Sequence, residues 1–303
     1  MSKPIPDSVA IRLANASEAM RTPPSPPDKA FLARMFVLAT LPHRDPGNVP
    51  TWGRKNGHAR LTIHPHIDDA GIPRYPFGSI PRLLLYWLVG EAKRTQSRRL
   101  ELGATLAEFM REVGLNPDTG GGKRGDAARL RDQMERLFRA QIRFEDGGAT
   151  ATERSRWLNM QVTDYAEVWW SHTAPSQRSL FGSYIILGEA FYQAVTTGPV
   201  PLDRRALREL RRSPFALDLY AWATHRAYRR QFGFVSWAAL RAQFGGSYQD
   251  TKNFQKAASS ALRKIKTVYP ALNYRCGQGG VEILPSLPAV PRQELGEKTG
   301  YPR

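Results

Sequence analysis

The sequence has very little cysteine and no long apolar run. Cys276 is the single cysteine among 303 residues, so an intrachain disulfide and a Cys-rich zinc site are both excluded. The most apolar run, residues 83–89, is far shorter than the roughly 20 residues that cross a bilayer. The first ten residues, MSKPIPDSVA, contain no apolar core of the secretory type. We therefore expect a cytoplasmic protein without membrane contact.

Acidic residues are also scarce. Asp and Glu total 27 against 44 Lys and Arg, which gives a formal net charge of +17 and an isoelectric point near 10.3. A soluble chain with this excess usually binds a polyanion. With membranes disfavoured, a nucleic acid is the expected partner, and the basic helices described below favour double-stranded DNA.

A glycine-rich stretch, TGGGKRGDAARLRDQMERLFRAQIRFED (residues 119–146), looks like a nucleotide-binding loop. A Walker loop needs glycine five positions before the Gly-Lys pair and a hydroxyl residue after it. Pro117 and Arg124 occupy those positions, so we predict no nucleotide and no other cofactor. Residues 120–122 either connect two elements flexibly or bring backbone N–H groups to a DNA phosphate at a helix start.

The chain divides by composition into four parts. Residues 1–28 end in RTPPSPPD and are predicted to be a mobile, Pro-rich arm. Residues 29–170 and 171–291 have a similar order of helices followed by a hairpin, with a polar stretch, SHTAPSQRS, between them. Residues 292–303 form a tail. The structured part of the first stretch is expected to begin near YPFGSIPR, with Ser79 as a helix N-cap. Thr105 and Glu108 spell a capping box, and Ser213 with Pro214 is expected to start a later helix. The predicted fold class is α+β, with tandem winged-helix (helix-turn-helix) domains and short β-hairpin wings.

Each stretch contains one amphipathic basic helix before its hairpin. Apolar residues of the first, Leu130, Met134, Leu137 and Phe138, share one face at 100° per residue. A helix that enters a major groove needs cations for phosphates and forked donors for guanine edges. The predicted DNA-binding residues are Lys123, Arg124, Arg129, Arg136 and Arg139 in the first stretch and Lys252, Lys256 and Arg263 in the second.

One motif supports a different chemistry. His64, Pro65 and His66 resemble the paired histidines that hold a metal in rolling-circle nicking enzymes, with Tyr248 as a candidate nucleophile. Proline between the histidines argues against a central strand there, which favours a polar surface loop. We predict no metal site and no enzymatic activity, with metal-dependent nicking kept as an alternative. Trp169 and Trp170 are expected in a core or domain interface rather than stacked on bases.

Several long blocks, in order, resemble plasmid replication initiators of the RepA type. They are YPFGSIPRLLLYWLVGEAKRTQSRRLELGATLAEFMREVGL, RLRDQMERLF, LGEAFYQ, PVPLDRRALRELRRSPFALDLYAW, WAALRAQFG and ALRKIKTVYP, within about residues 72–291. The resemblance implies two winged-helix domains that bind repeated origin sites (iterons) and help to melt the adjacent duplex. It also implies recruitment of the host replication initiator and helicase, and exchange between a monomer and a self-associated dimer. A winged-helix repressor that uses the same helices is the second hypothesis.

Overall fold

The computed structural model describes residues 17–119, 125–147, 156–170, 174–178, 182–245 and 248–291. The glycine-rich segment 120–124, which includes Lys123 and Arg124, lies outside the described residues. Most of the predicted N-terminal arm and the whole predicted tail, residues 292–303, lie outside them too. In the described end of the arm, the guanidinium of Arg205 donates to the carbonyl oxygens of Ala19 (2.8 Å) and Thr22 (2.9 Å).

The helices alternate with short strands, which confirms the mixed α+β character. Their bounds are α1 Arg34–Leu38, α2 Ser79–Thr95, α3 Leu106–Glu112, α4 Asp126–Phe138, α5 Glu189–Thr196, α6 Arg204–Leu210, α7 Pro214–Tyr228, α8 Trp237–Phe244 and α9 Thr251–Val268. A short 3-10 helix, Pro26–Asp28, precedes them.

Helix starts follow the capping signals in the sequence in most cases. Thr105 and Glu108 form the predicted capping box at α3, which satisfies two backbone N–H groups that have no partner within the helix. Ser213 accepts from the backbone N–H of Ala216 at α7. Ser79 was the expected cap of α2, but Gly78 holds that position. Its positive φ of 79° explains the difference, because glycine adopts this conformation without steric cost.

Fourteen short strands are present in the described ranges. They are β1 Lys29–Leu32, β2 Trp52–Asn56, β3 Ala59–His64, β4 His66–Ile67, β5 Pro73–Arg74, β6 Arg99–Glu101, β7 Gln141–Asp146, β8 Arg156–Gln161, β9 Thr163–Glu167, β10 Tyr184–Leu187, β11 Val200–Asp203, β12 Gly233–Ser236, β13 Tyr274–Cys276 and β14 Gly280–Ile283. They form sheets ordered β1-β11, β6-β10-β9, β12-β14-β13, β2-β3-β7-β8 and β4-β5.

Residues 29–74 are structured, so the expectation that the fold begins near residue 75 was wrong. This segment supplies α1 and strands β1 to β5. Its main strands pair with remote ones: β1 with β11, and β3 with β7. Pairings across such separations leave little trace in the local sequence, which explains the error.

Strand pairing crosses the predicted boundary at residue 170 in both directions. β1, from the first stretch, pairs with β11, from the second. β10, from the second stretch, lies between β6 and β9 of the first. The two stretches therefore share sheets, and their division into domains stays a prediction.

A buried charge network joins α2 to α7. The Arg82 guanidinium makes two hydrogen bonds to the Asp218 carboxylate, at 2.7 and 2.8 Å, and also donates to the carbonyl oxygens of Leu41, Pro42 and Gly78. His43 Nε2 lies 2.7 Å from the same carboxylate. Burial opposes ionisation of Asp218, but the charge of Arg82 and the bonds from His43 and Arg82 outweigh it and lower the pKa of Asp218 to about 2.

Both basic helices occupy the same place in a repeated order of elements. The first order is α2, β6, α3, α4 and the β7–β8 hairpin, and the second is α7, β12, α8, α9 and the β13–β14 hairpin. Both predicted hairpins are confirmed by strand pairing. In the second set the hairpin pairs directly with the strand between the helices, β12 with β14. In the first set the strand between the helices, β6, pairs instead with β10, which lies between β6 and β9. The β7–β8 hairpin of that set pairs with β3.

Candidate nucleic-acid interface

Helix α9 packs one face into the core and exposes the other. Its buried residues are Phe254, Ala258, Ala261, Leu262, Ile265 and Val268, which confirms the apolar stripe. Lys252, Lys256 and Arg263 are exposed and have no ion-pair partner within the part of the chain that the structure describes. The helix carries five cationic residues and no acidic one. Its outer face is therefore a strip of uncompensated positive charge.

The two ends of α9 are fixed by local hydrogen bonds. The Asp250 side chain accepts from the backbone N–H of Asn253 at 2.7 Å, as an N-cap residue does. At the other end, Lys266 Nζ donates to the carbonyl oxygens of Pro270 and Leu272, each at 2.7 Å. Lys266 thus ties the end of the helix to the loop that follows it, which leaves the cations nearer the start of the helix to face outward.

The β13–β14 hairpin lies beside α9 and adds another exposed cation, Arg275. Its turn is closed by a 2.9 Å bond from the Gly277 N–H to the Gly280 carbonyl. A Cβ at Gly280 would lie 2.2 Å from the Val235 carbonyl oxygen, so glycine is required where β14 meets β12. Burial raises the pKa of the Cys276 thiol, against smaller opposing effects of Ser259 and Arg263. The Gln255 side chain of α9 donates to the Gln278 carbonyl at 3.1 Å, which places the helix against the hairpin.

Helix α4 differs from α9 in its outer face. Its two exposed arginine candidates already have acidic partners: Arg129 lies 3.1 Å from Asp126, and Arg139 lies 3.4 Å from Glu135. Arg139 Nη1 is also 3.0 Å from His66 Nε2. Both side chains are exposed to solvent, but their charges are compensated locally.

Arg136 is not on the exposed face where the sequence predicted it. Its residue exposure is 8%, and its guanidinium contacts Asp132 at 2.9 Å, Asp45 at 3.3 Å and the Tyr75 carbonyl at 3.2 Å. The helical projection placed Arg136 opposite the apolar stripe, but the loops around residues 45 and 75 cover that side of the helix. Arg136 holds α4 to these loops, and its guanidinium is occupied by contacts within the fold rather than presented on the exposed face.

The His64-Pro65-His66 motif spans the junction of two strands rather than a loop. His64 ends β3 and His66 begins β4, so proline falls between the strands, where no ladder bond is needed. Within the described ranges, no three His, Cys, Asp or Glu side chains converge as metal ligands do. The ring of Tyr248 packs against Phe215 and Phe254, and burial raises its pKa, which disfavours a nucleophilic phenolate.

The two tryptophans next to the predicted boundary have different environments. Trp170 is buried and packs against Phe109 at 5.1 Å between ring centroids, as expected for core packing. Trp169 is 49% exposed, and its Nε1 donates to Glu167. The expectation of core packing therefore holds for Trp170 alone.

Comparison with known proteins identifies the family. The sequence profile described as "Plasmid encoded RepA protein" matches residues 75–234, slightly more than half of the 303 residues. The chain belongs to the plasmid-encoded RepA protein family. This RepA-type plasmid replication protein has α9 and the β13–β14 hairpin beyond the matched segment. A search of curated proteins returned no match.

The fold of this RepA family member is similar to a solved structure, described as the crystal structure of SeMet derivatives of domain 2 and domain 3 of RctB. The TM-score is 0.50 at 10% sequence identity, over 82% of this chain and 94% of the RctB chain. The covered share includes both repeated orders of elements in part or whole, so the likeness supports the overall α+β architecture. None of the helices in the described ranges has the length and apolar character required to cross a bilayer.

Proposed function

We propose that this RepA family member is a replication initiator that binds plasmid origin DNA sequence-specifically through two winged-helix units. The observation that carries the proposal is the outer face of α9, where Lys252, Lys256 and Arg263 have no ion-pair partner among the described residues. Family membership supports the plasmid context. The order helix, strand, helix, helix, hairpin supports the winged-helix assignment.

The chemistry of α9 suits the major groove. A cation without a protein partner can contact a phosphate without first breaking an ion pair, and each such contact releases counterions from DNA. Arg263 has the forked donors that read guanine edges, whereas the two lysines act as point charges for phosphates. Because the buried stripe of α9 fixes the helix on α7 and α8, these side chains are presented on a rigid element.

Helix α4 has a smaller part in the proposed interface. Arg129 and Arg139 must exchange an acidic partner for a phosphate, so each contributes less affinity than an unpaired cation. Lys123 and Arg124 precede α4 and stay predicted contacts outside the described residues. We therefore propose that α9 supplies most of the affinity and α4 a second, weaker contact.

The family resemblance extends the proposal beyond DNA binding. It implies recognition of repeated origin sites, opening of the adjacent duplex, contact with the host replication initiator and helicase in the cytoplasm, and exchange between monomer and dimer. These roles are proposed for the protein as a whole and not for particular residues. The same resemblance supports a protein that acts by binding rather than by catalysis.

The test is a footprint and an anisotropy titration on duplex DNA from the plasmid origin. Combined replacement of Lys252, Lys256 and Arg263 by alanine should weaken binding about 100-fold at physiological salt. The slope of log affinity against log salt should fall by about 0.9 for each phosphate that is no longer neutralised. A control that removes three exposed arginines elsewhere, Arg94, Arg99 and Arg111, has the same net charge and should bind within about threefold of wild type.

Two outcomes would contradict the proposal. Equal weakening by the control would mean that net charge, and not α9, determines the affinity. Normal origin binding by a protein that cannot support replication of a plasmid lacking its own initiator would favour the repressor.

A further inference from the structure

The four-stranded sheet β2-β3-β7-β8 has one face in the core and one in solvent. Side chains alternate along each strand, so Leu61, Ile63 and Ile142 are buried. Arg60, His64, Gln141 and Arg143 beside them on the same strands are exposed, and Thr62 is partly exposed. Helices α5 and α8 contact this sheet. Packing in the core explains the apolar residues of the buried face. It does not explain which residues occupy the outer face.

The strand register gives the outer face in rows. One row is Lys55, Arg60, Glu145 and Trp157, and the next is Gly53, Thr62, Arg143 and Asn159. Residues paired across neighbouring strands point to the same side of a sheet. Three cations and an indole therefore share one surface with a single carboxylate, that of Glu145, which lies 2.6 Å from Arg143.

Trp157 is the most exposed aromatic residue of this surface, with 68% of its area accessible to solvent. An indole in water contributes little to folding, since its stabilising effect depends on burial. Lys55, Arg60, Arg143, Arg156 and Trp157 line an open groove of about 410 Å³. Lys55 and Arg60 have no ion-pair partner in the described part of the chain, which leaves two cations next to an available aromatic face.

We propose that this outer sheet face binds single-stranded DNA, with an unpaired base stacked on Trp157 and backbone phosphates held by Lys55, Arg60 and Arg143. A positively charged groove with an aromatic platform is the general requirement for binding single strands without sequence preference. The sheet extends about 14 Å from β2 to β8, taking ~4.8 Å between strands, and so accommodates several nucleotides. A duplex hides its base faces within the stack, so Trp157 has no equivalent contact there.

This surface gives the protein a second DNA ligand, distinct from the duplex on α9. In the context of the proposed function, it would hold one strand after the origin opens. The inference itself rests on the residues of the sheet and does not require that α9 bind DNA. Each site can therefore fail or succeed separately.

The experiment measures fluorescence anisotropy of a labelled 20-nucleotide oligothymidine and, separately, of a labelled origin duplex. Trp157→Ala should weaken oligothymidine binding about 10-fold, because alanine offers no ring on which a base can stack, and should leave duplex binding within twofold. Trp157→Phe, which keeps an aromatic face, should recover most of the affinity. Trp169→Ala is the matched control, since Trp169 is also half exposed and lies outside the sheet.

Charge reversal and the α9 variant complete the design. Lys55→Glu with Arg60→Glu should weaken oligothymidine binding by more than 10-fold and reduce its salt dependence. The triple alanine variant of α9 should lose duplex binding and retain oligothymidine binding. All variants change exposed side chains, and unchanged thermal melting will confirm that they fold.

Four results would overturn the inference. First, Trp157→Ala could bind oligothymidine as tightly as wild type does. Second, it could lose affinity for the origin duplex as much as for oligothymidine, which would assign the sheet to the duplex interface. The α9 variant could lose both ligands, which would indicate one shared site. Tighter binding of oligouridine with the same dependence on Trp157 would assign the surface to RNA.

Discussion

Helices α4 and α9 hold equivalent places in the two orders of elements, but their charges are arranged differently. Residues 126–138 of α4 include three acidic and three basic side chains. Residues 251–268 of α9 include five basic side chains and no acidic one. Both helices are amphipathic and both look like reading helices by sequence. The position of a helix in the fold therefore does not determine how available its cations are to DNA.

The difference lies in where the acidic partners sit. On α4 they are three or four residues from an arginine, at Asp126 for Arg129 and at Glu135 for Arg139, the spacing that brings side chains together on a helix. Asp132, with Asp45 from a loop, holds Arg136 against the fold. Helix α9 instead uses aspartate only as its N-cap, at Asp250. Its cations are left for an external anion.

The largest expected effect on stability is at Arg136. Arg136→Ala should lower the free energy of unfolding by about 2 to 4 kcal/mol, because a nearly buried side chain is removed together with its contacts to Asp132, Asp45 and the Tyr75 carbonyl. Lys252→Ala on α9 should change it by less than about 0.5 kcal/mol, as expected for an exposed side chain. Urea denaturation at pH 7 measures both.

Arg139→Ala is the matched control for Arg136, since Arg139 directly follows the same helix as its C-cap and is exposed. It should resemble Lys252→Ala in stability. An Arg136 variant as stable as the Arg139 variant would show that Arg136 is not part of the fold's support. Arg136 would then return to the candidate DNA contacts.

Lowering the pH should destabilise the part of the fold around α7, the helix on which α9 packs. His225 lies on α7, and His43 bonds to Asp218 of α7; α9 packs on the same helix. Burial lowers the pKa of His225 to about 4, with smaller effects of Arg34, Arg229 and Arg226, and burial also lowers the pKa of His43. The folded state keeps these imidazoles neutral, so the unfolded state takes up protons first as the pH falls below about 6.5.

The free energy of unfolding should therefore be greatest above pH 6.5 and fall by about 1 to 3 kcal/mol between pH 6.5 and 4. Urea denaturation across this range gives the change. In His225→Gln the dependence on pH should be weaker than in the unsubstituted protein. An unaltered slope in His225→Gln would show that His225 does not resist protonation in the fold.

Much of the local structure could be predicted from the sequence, because its signals are local. The Thr105–Glu108 capping box, the Ser213–Pro214 start of α7 and both hairpins need only short stretches of chain. The apolar stripe of α9 follows from helical spacing alone. The likeness to RepA proteins could be stated for the same reason, from contiguous blocks.

The remaining features depend on contacts between distant residues. Arg136 is opposite the apolar stripe on a helical projection, yet the loops at Asp45 and Tyr75 cover it. The outer sheet face combines Lys55, Arg60, Arg143 and Trp157 from four strands, and residues 29–74 looked irregular without their partners. The alternation of apolar and polar residues in ARLTIH matches the alternating burial along β3 and is a local signal for a strand. Such alternation does not show which strands pair with β3.

The smallest expected effect tests the comparison in the opposite direction, by making α4 more like α9. Asp126→Asn with Glu135→Gln removes the acidic partners of Arg129 and Arg139 and should tighten binding to origin duplex about 3- to 10-fold at low salt, since two cations no longer exchange a carboxylate for a phosphate. The matched control, Glu91→Gln with Glu101→Gln, removes the acidic partners of Arg94 and Arg99 with the same change in net charge. Anisotropy titrations at two salt concentrations compare the pairs. A gain confined to the α4 variant places α4 at the duplex, whereas an equal gain in both would mean that the added charge acts at long range and that α9 alone contacts the DNA.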